Sequence, residues 1–218
     1  MLLSAFHVST PTLVYKHWLN AALYHVFISK EVRSDTYLSY LESAAKSFVF
    51  DRFLATDGGL DYYPIIYTNR CVCQTEKSAV SMSSIDMHLT FGNIENNLVF
   101  NYLDYLLWLK YQASDNIVKS YEFTFRSSVE HYYPQHPMPG HDALPSETLN
   151  SFGNLCLISH SKNSRLSNFM PEAKKEYYRN NTIDSVKQHL MMQSEHWDIS
   201  AIAKHYVEVK DVLLQSLV

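Results

Sequence analysis

Glycine is scarce in this chain: five residues, at positions 58, 59, 92, 140 and 153, in 218. Average usage would give roughly 15. So few permissive backbone positions argue against strand-dense sandwiches and barrels, which need them at turns and bulges. They also leave little room for glycine-rich phosphate loops. Neither GxGxxG nor GxxxxGK[ST] occurs, so the common dinucleotide and P-loop sites are absent. Hydrophobic residues at 46%, with 16 Tyr and 11 Phe, fit an aromatic-rich, mainly helical core.

The net charge of −4 does not by itself suggest a nucleic-acid binder, but its distribution is uneven. From Ser159 to Lys187 six Lys/Arg (Lys162, Arg165, Lys174, Lys175, Arg179, Lys187) stand against three acids. That segment is +3 and the rest −7. It can meet a phosphate backbone or simply be a solvated helix face. Three cysteines form no disulfide framework, and a reducing, cytoplasmic setting is expected. No signal peptide or membrane span is legible.

The first half reads as helical. Thr10-Pro11 marks a helix start, with Leu13, His17, Asn20, Leu23 and Phe27 near one face, widened by Val14, Trp18, Ala21 and Ala22, ending near Lys30. Ser34 caps a second helix with Leu38, Leu41, Ala45, Phe48 and Phe53 at helical spacing, stopped at Asp57-Gly58-Gly59. A loop follows to about Met87. Leu98 to Tyr111 is apolar but too short to cross a membrane, so it predicts a buried helix.

The character changes near Lys119. Tyr121 to Phe125 alternates like a strand, and a Pro-rich loop runs from Pro134 to Glu147. Leu155 to Ile158 is a second strand candidate, and helical signals return from Lys162 to Asn180. Asp198 caps a last helix with Ile199, Ile202, Tyr206, Val209 and Leu213 on one face. The fold class expected is mainly α with a small α+β part: a helical domain over 1–118, then a mixed domain over 119–218.

The second part holds Glu130-His131, Pro134-Gln135, then Gly153-Asn154-Leu155-Cys156-Leu157-Ile158-Ser159, then Lys162-Asn163-Ser164-Arg165-Leu166-Ser167-Asn168, and Lys174. The gap from Asn154 to Asn163 is nine residues. This constellation resembles the HNH, or ββα-metal, endonucleases. Its wording is closest to the nuclease domain at the C-terminus of GmrSD-type modification-dependent and phage-defence restriction enzymes. The opening segment, Phe6 to Pro11 and Val14 to Asn20, is similar to the helical region preceding that domain.

The resemblance implies a ββα nuclease unit hydrolysing DNA phosphodiesters in restriction or phage defence. His131 would be the general base, since a neutral imidazole takes a proton near pH 7. Asn154 would orient the loop holding His131. Glu130 and Asn163 would ligate one divalent cation, Mg²⁺ or Mn²⁺. Glu130 stands where Asp is commoner, and its extra methylene moves the carboxylate about 1.5 Å, so ligation through water stands beside direct ligation. Lys162, Arg165 and Lys174 would hold phosphates, and Gln135 and Asn168 are further candidates. Ser159 and Lys162 occupy the places where many relatives carry zinc-binding CxxC pairs, so no structural zinc is expected.

The implied partners are DNA, modified DNA included, a separate ParB-like nucleotide-binding subunit, and a second copy supplying the cut on the other strand. The chain itself shows no trace of the ParB-like domain. Two readings compete with catalysis. One is an inactive DNA- or partner-binding remnant of a larger restriction protein. The other is a zinc-binding structural protein built on Cys71, Cys73 and histidines.

Overall fold

The computed structural model describes residues 1–10, 16–56 and 58–218. Pro11, Leu13, Val14 and Asp57, used in the helix and turn assignments above, lie outside the described residues. The chain divides into two compact units, Met1–Tyr102 with Leu214–Val218, and Leu103–Leu213. No described helix is long and apolar enough to cross a membrane.

The first unit is built from α1 (Leu2–Ser9), α2 (His17–Ile28), α3 (Ser34–Ser47), α4 (Met82–His88) and the start of α5 (Leu98–Tyr111). Alpha-helix α3 runs on as a π-helical segment, Phe48–Phe53, that buries Phe48, Val49, Phe50 and Phe53. Leu41 and Ala45 are buried as their spacing predicts, whereas Leu38 is exposed. On α2 only part of the expected face is buried. Ala21 and Ala22 are fully inside, while Leu23 and Phe27 are exposed, Phe27 at 87%. Two small side chains let α2 approach α3 closely, which the bulkier residues on the other side would prevent.

Residues 60–87, expected as a loop, hold short helical segments at Pro64–Thr68, Lys77–Ala79 and α4. Nearby, Asp51 accepts the Gln74 and Thr75 N–H groups and the hydroxyls of Ser47 and Thr75. Its neighbour Cys73 is a free thiol pushed up to about 12 by burial, then by the Asp51 charge. Burial likewise raises Cys71 to about 11.

The second unit continues through α6 (Asn116–Lys119), β1 (Ser128–His131), α7 (Ser146–Leu149), β2 (Leu155–Ile158), α8 (His160–Leu166), α9 (Pro171–Tyr178), α10 (Val186–Met192) and α11 (Ile199–Gln215). The first strand falls seven residues later than the alternation at Tyr121 predicts. Tyr121 and Phe123 are indeed buried and Glu122 and Thr124 exposed, but among the described residues no strand pairs with them. Instead the guanidinium of Arg126 donates to the carbonyls of Glu122 and Thr124, serving backbone groups that a neighbouring strand would otherwise serve.

Strands β1 and β2 pair antiparallel, with Glu130 opposite Cys156 and His131 opposite Leu155. Leu155, Cys156, Leu157 and Ile158 are all at 0% exposure, because α10 packs on β2 and the hairpin is covered on both faces. Helix α8 follows β2 directly and packs on β1. Around this unit lies a core that includes Tyr132, Cys156, Leu166, Met191, Trp197 and Ile202. At the last helix Asp198 accepts the Ala201 N–H, the expected cap, and Ile202, Val209 and Leu213 are buried, while Ile199 is exposed.

Candidate functional site

His131 ends β1 and is 5% exposed. Its Nε2 lies 3.0 Å from Asn150 Oδ1, and the Asn150 amide donates in turn to Ser146 Oγ at 3.1 Å. An amide oxygen only accepts, so the network assigns the imidazole proton to Nε2 and leaves Nδ1 as the basic nitrogen. Burial moves His131 below its ordinary value of 6.5; the Asn150 bond opposes this and the Lys174 charge adds to it. The ring is therefore neutral at pH 7, the form a general base requires. Asn150, four residues before Asn154, carries no signal in the sequence beyond an ordinary turn asparagine.

Asn154 is fully buried and makes four side-chain hydrogen bonds. Its Oδ1 accepts from the Tyr133 N–H at 2.8 Å and from the Trp197 indole N–H at 3.0 Å. Its Nδ2 donates to the carbonyls of Tyr133 and Leu149, each at 3.0 Å. Its own carbonyl takes the Tyr132 N–H at 2.8 Å. Asn154 thus clasps the two residues following His131 to the start of β2. Gly153 permits this: a Cβ there would lie 2.4 Å from the Ile202 carbonyl oxygen of α11.

Glu130 neighbours His131 on β1, and adjacent strand residues point to opposite faces. Its carboxylate takes a short charge-assisted bond from the Lys174 ammonium. Lys174 reaches in from α9, is 1% exposed, and also donates to the carbonyls of His131 at 2.8 Å and Tyr132 at 3.1 Å. Burial raises the Glu130 pKa and the Lys174 charge partly offsets this. Lys174 is thus an internal cation, not the phosphate contact expected of it.

This arrangement does not fit a cation ligated by Glu130, because the carboxylate already faces a buried ammonium that would repel a metal ion. Among the described residues no three His, Cys, Asp or Glu side chains gather into a group that could hold an ion. Asn163 is half-buried on α8, and its side-chain amide takes part in no hydrogen bond with the described residues.

Two further expected phosphate contacts divide. Lys162 is turned inward: its ammonium lies 3.1 Å from Asp184 Oδ2, donates to the Thr182 carbonyl at 2.7 Å and stacks over the Tyr178 ring. Arg165 stays exposed, its guanidinium over the Tyr177 ring. Gln135 and Asn168 are exposed in loops after β1 and α8.

The strand pair and the elements beside it therefore carry His131, bonded to Asn150, and Asn154, bonded to Trp197, while Asn163 stands on α8, which packs on β1. Compared with known families, residues 83–211 match the family model described as GmrSD restriction endonucleases, C-terminal domain. No curated protein matches the chain, and no solved structure does.

Proposed function

The chain belongs to the GmrSD restriction endonuclease C-terminal domain family, and from that premise we propose that it is an HNH-type DNA endonuclease in which His131 is the general base. The carrying observation is the His131–Asn150 bond, which fixes the tautomer while burial keeps the ring neutral. Nδ1 takes a proton from a water molecule, whose oxygen attacks the phosphorus as the P–O bond to the leaving sugar breaks, and the departing oxygen takes its proton from solvent water. Asn154 acts as a positioning residue, holding the Tyr133 backbone in place. Such rigidity keeps the base within the small tolerance that proximity effects demand. Glu130 and Lys174 form an internal clamp on the His131 and Tyr132 carbonyls.

The experiment is nicking of supercoiled plasmid, unmodified and modified, with Mg²⁺, with Mn²⁺ and with chelator. Wild-type protein should nick, and His131→Ala should lose at least about 100-fold in rate while keeping its melting temperature. Cleavage unchanged by His131→Ala would overturn the assignment. Cleavage that persists in chelator would remove the divalent cation from the mechanism. The engagement of Glu130 by Lys174 favours a second reading, DNA binding without cleavage. Retarded DNA in a gel with no product on any substrate or metal would select it.

A further inference from the structure

Over its twelve residues α2 contains no Asp, Glu, Lys or Arg. A helix that is apolar all round is normally buried all round. Here the inner side lies on α3 and the outer side is open. Leu19, Leu23, Val26 and Phe27 recur there at i, i+4, i+7 and i+8, so they form one stripe. Each of the four is 40% exposed or more. Charged residues stand only beyond the helix ends, Lys16 before it and Lys30 with Glu31 after it.

The stripe widens to one side. Asn20 donates to the Tyr67 hydroxyl at 2.7 Å, and the Tyr24 ring meets the Tyr67 ring edge-on at 4.9 Å. Tyr63 leans on Tyr67 at 5.0 Å and is itself 71% exposed. At their exposures Leu19, Leu23, Val26, Phe27 and Tyr63 leave roughly 500–600 Å² of mostly apolar surface uncovered. That is at the upper end of what a monomer shows to water. A standard interface covers about 800 Å² on each partner, and in homodimers about two thirds of it is apolar. The patch on α2 supplies that apolar share.

A second copy fits this face. About a two-fold axis each patch meets its own twin, so one surface suffices for both sides. The stripe is centred on Leu23. An antiparallel pair therefore sets Leu23 against Leu23 and Leu19 against Phe27 of the other copy. The two helix dipoles then oppose, which is their favourable order. Lys16 of one copy comes beside Lys30 and Glu31 of the other, at the wet rim of the contact. Carrying no charge, the stripe gives an oppositely charged partner nothing to recognise. We infer that α2 is the contact between two copies of this chain, paired antiparallel about Leu23.

Sedimentation velocity on the full chain at about 1–100 μM tests this. The wild-type protein should pass from monomer to dimer with a dissociation constant in the micromolar range. Leu23→Glu with Phe27→Glu should raise that constant by about 100-fold or more, with an unchanged circular dichroism spectrum because both positions are exposed. In the dimer, Leu23→Cys should cross-link between copies through a short bismaleimide. The wild-type protein and Glu208→Cys, exposed on α11, should not. A wild-type monomer across the whole concentration range overturns the proposal. A dimer that survives the double Glu substitution, or that leaves Leu23→Cys uncross-linked, places the contact elsewhere and overturns it as well. Flotation of a monomeric wild-type protein with vesicles of phosphatidylcholine and phosphatidylglycerol, lost in the double variant, assigns the face to lipid instead. None of these measurements reads cleavage, so their outcome is independent of the nuclease reading.

Discussion

A histidine that is to accept a proton must present the correct nitrogen, and a single amide four residues from Asn154 makes that choice for His131. With His131 as the proposed base the working form is the neutral ring, so activity should be full above the lowered pKa and fall as pH drops through it. The acidic limb of kcat/KM should therefore lie below 6.5. Asn150→Asp would place a carboxylate on Nε2–H, favour the imidazolium and move that limb to higher pH, while Asn150→Ala should cut kcat about tenfold with KM unchanged. A pH–rate series on the three proteins checks both. The sequence singled out His131, Asn154 and Asn163 because they stand at the spacing of a known motif. Asn150 stayed hidden because asparagine before a turn is ordinary, and only the folded hairpin brings it to the imidazole. Glu130 illustrates the opposite error. Its place beside His131 suggested a metal ligand, but its partner Lys174 comes from 44 residues away, a distance no local pattern reveals.

Between elements, the same clamp ties α9 to β1. Removing one partner leaves the other charge buried, so Lys174→Met should cost about 3–5 kcal/mol, and adding Glu130→Gln should recover part of that. Chemical denaturation of the single and double variants measures the difference. The close approach of α11 to the turn before β2 depends on Gly153, and Gly153→Ala should destabilise by about 1–3 kcal/mol through overpacking against the Ile202 carbonyl, read in the same way. The fold was legible where periodicity coincided with burial, as in Leu98–Tyr111 and the Asp198-capped helix. It was not where another contact overrode the pattern. The alternation at Tyr121 is real, but Arg126 satisfies its carbonyls, so burial alternates without a strand. On α2 the inner face narrows to Ala21 and Ala22, which helical spacing puts only on its flank, while Leu23 and Phe27 face out.

Across the whole molecule, charge is sorted by depth rather than by sequence. The stretch that looks most suited to DNA keeps Arg165 and Arg179 exposed, leaves Lys175 half-buried on the Ser194 carbonyl, and spends three lysines within. With about three phosphate contacts, log Kd for duplex DNA should change with log salt at a slope of about 3. Fluorescence anisotropy over a salt series checks this, and a slope of about 4.5 would mean that Lys162 and Lys174 leave their internal partners to bind DNA. Trp197 offers a further consequence at this scale. Its indole shares one amide oxygen with the backbone that follows His131. The unit's other tryptophan, Trp108, has no such bond. With Trp18 and Trp108 both replaced by Phe, the emission wavelength of Trp197 becomes a native optical gauge of the loop, moving to the red when the clasp opens to water and holding still when substrate binds without loosening it.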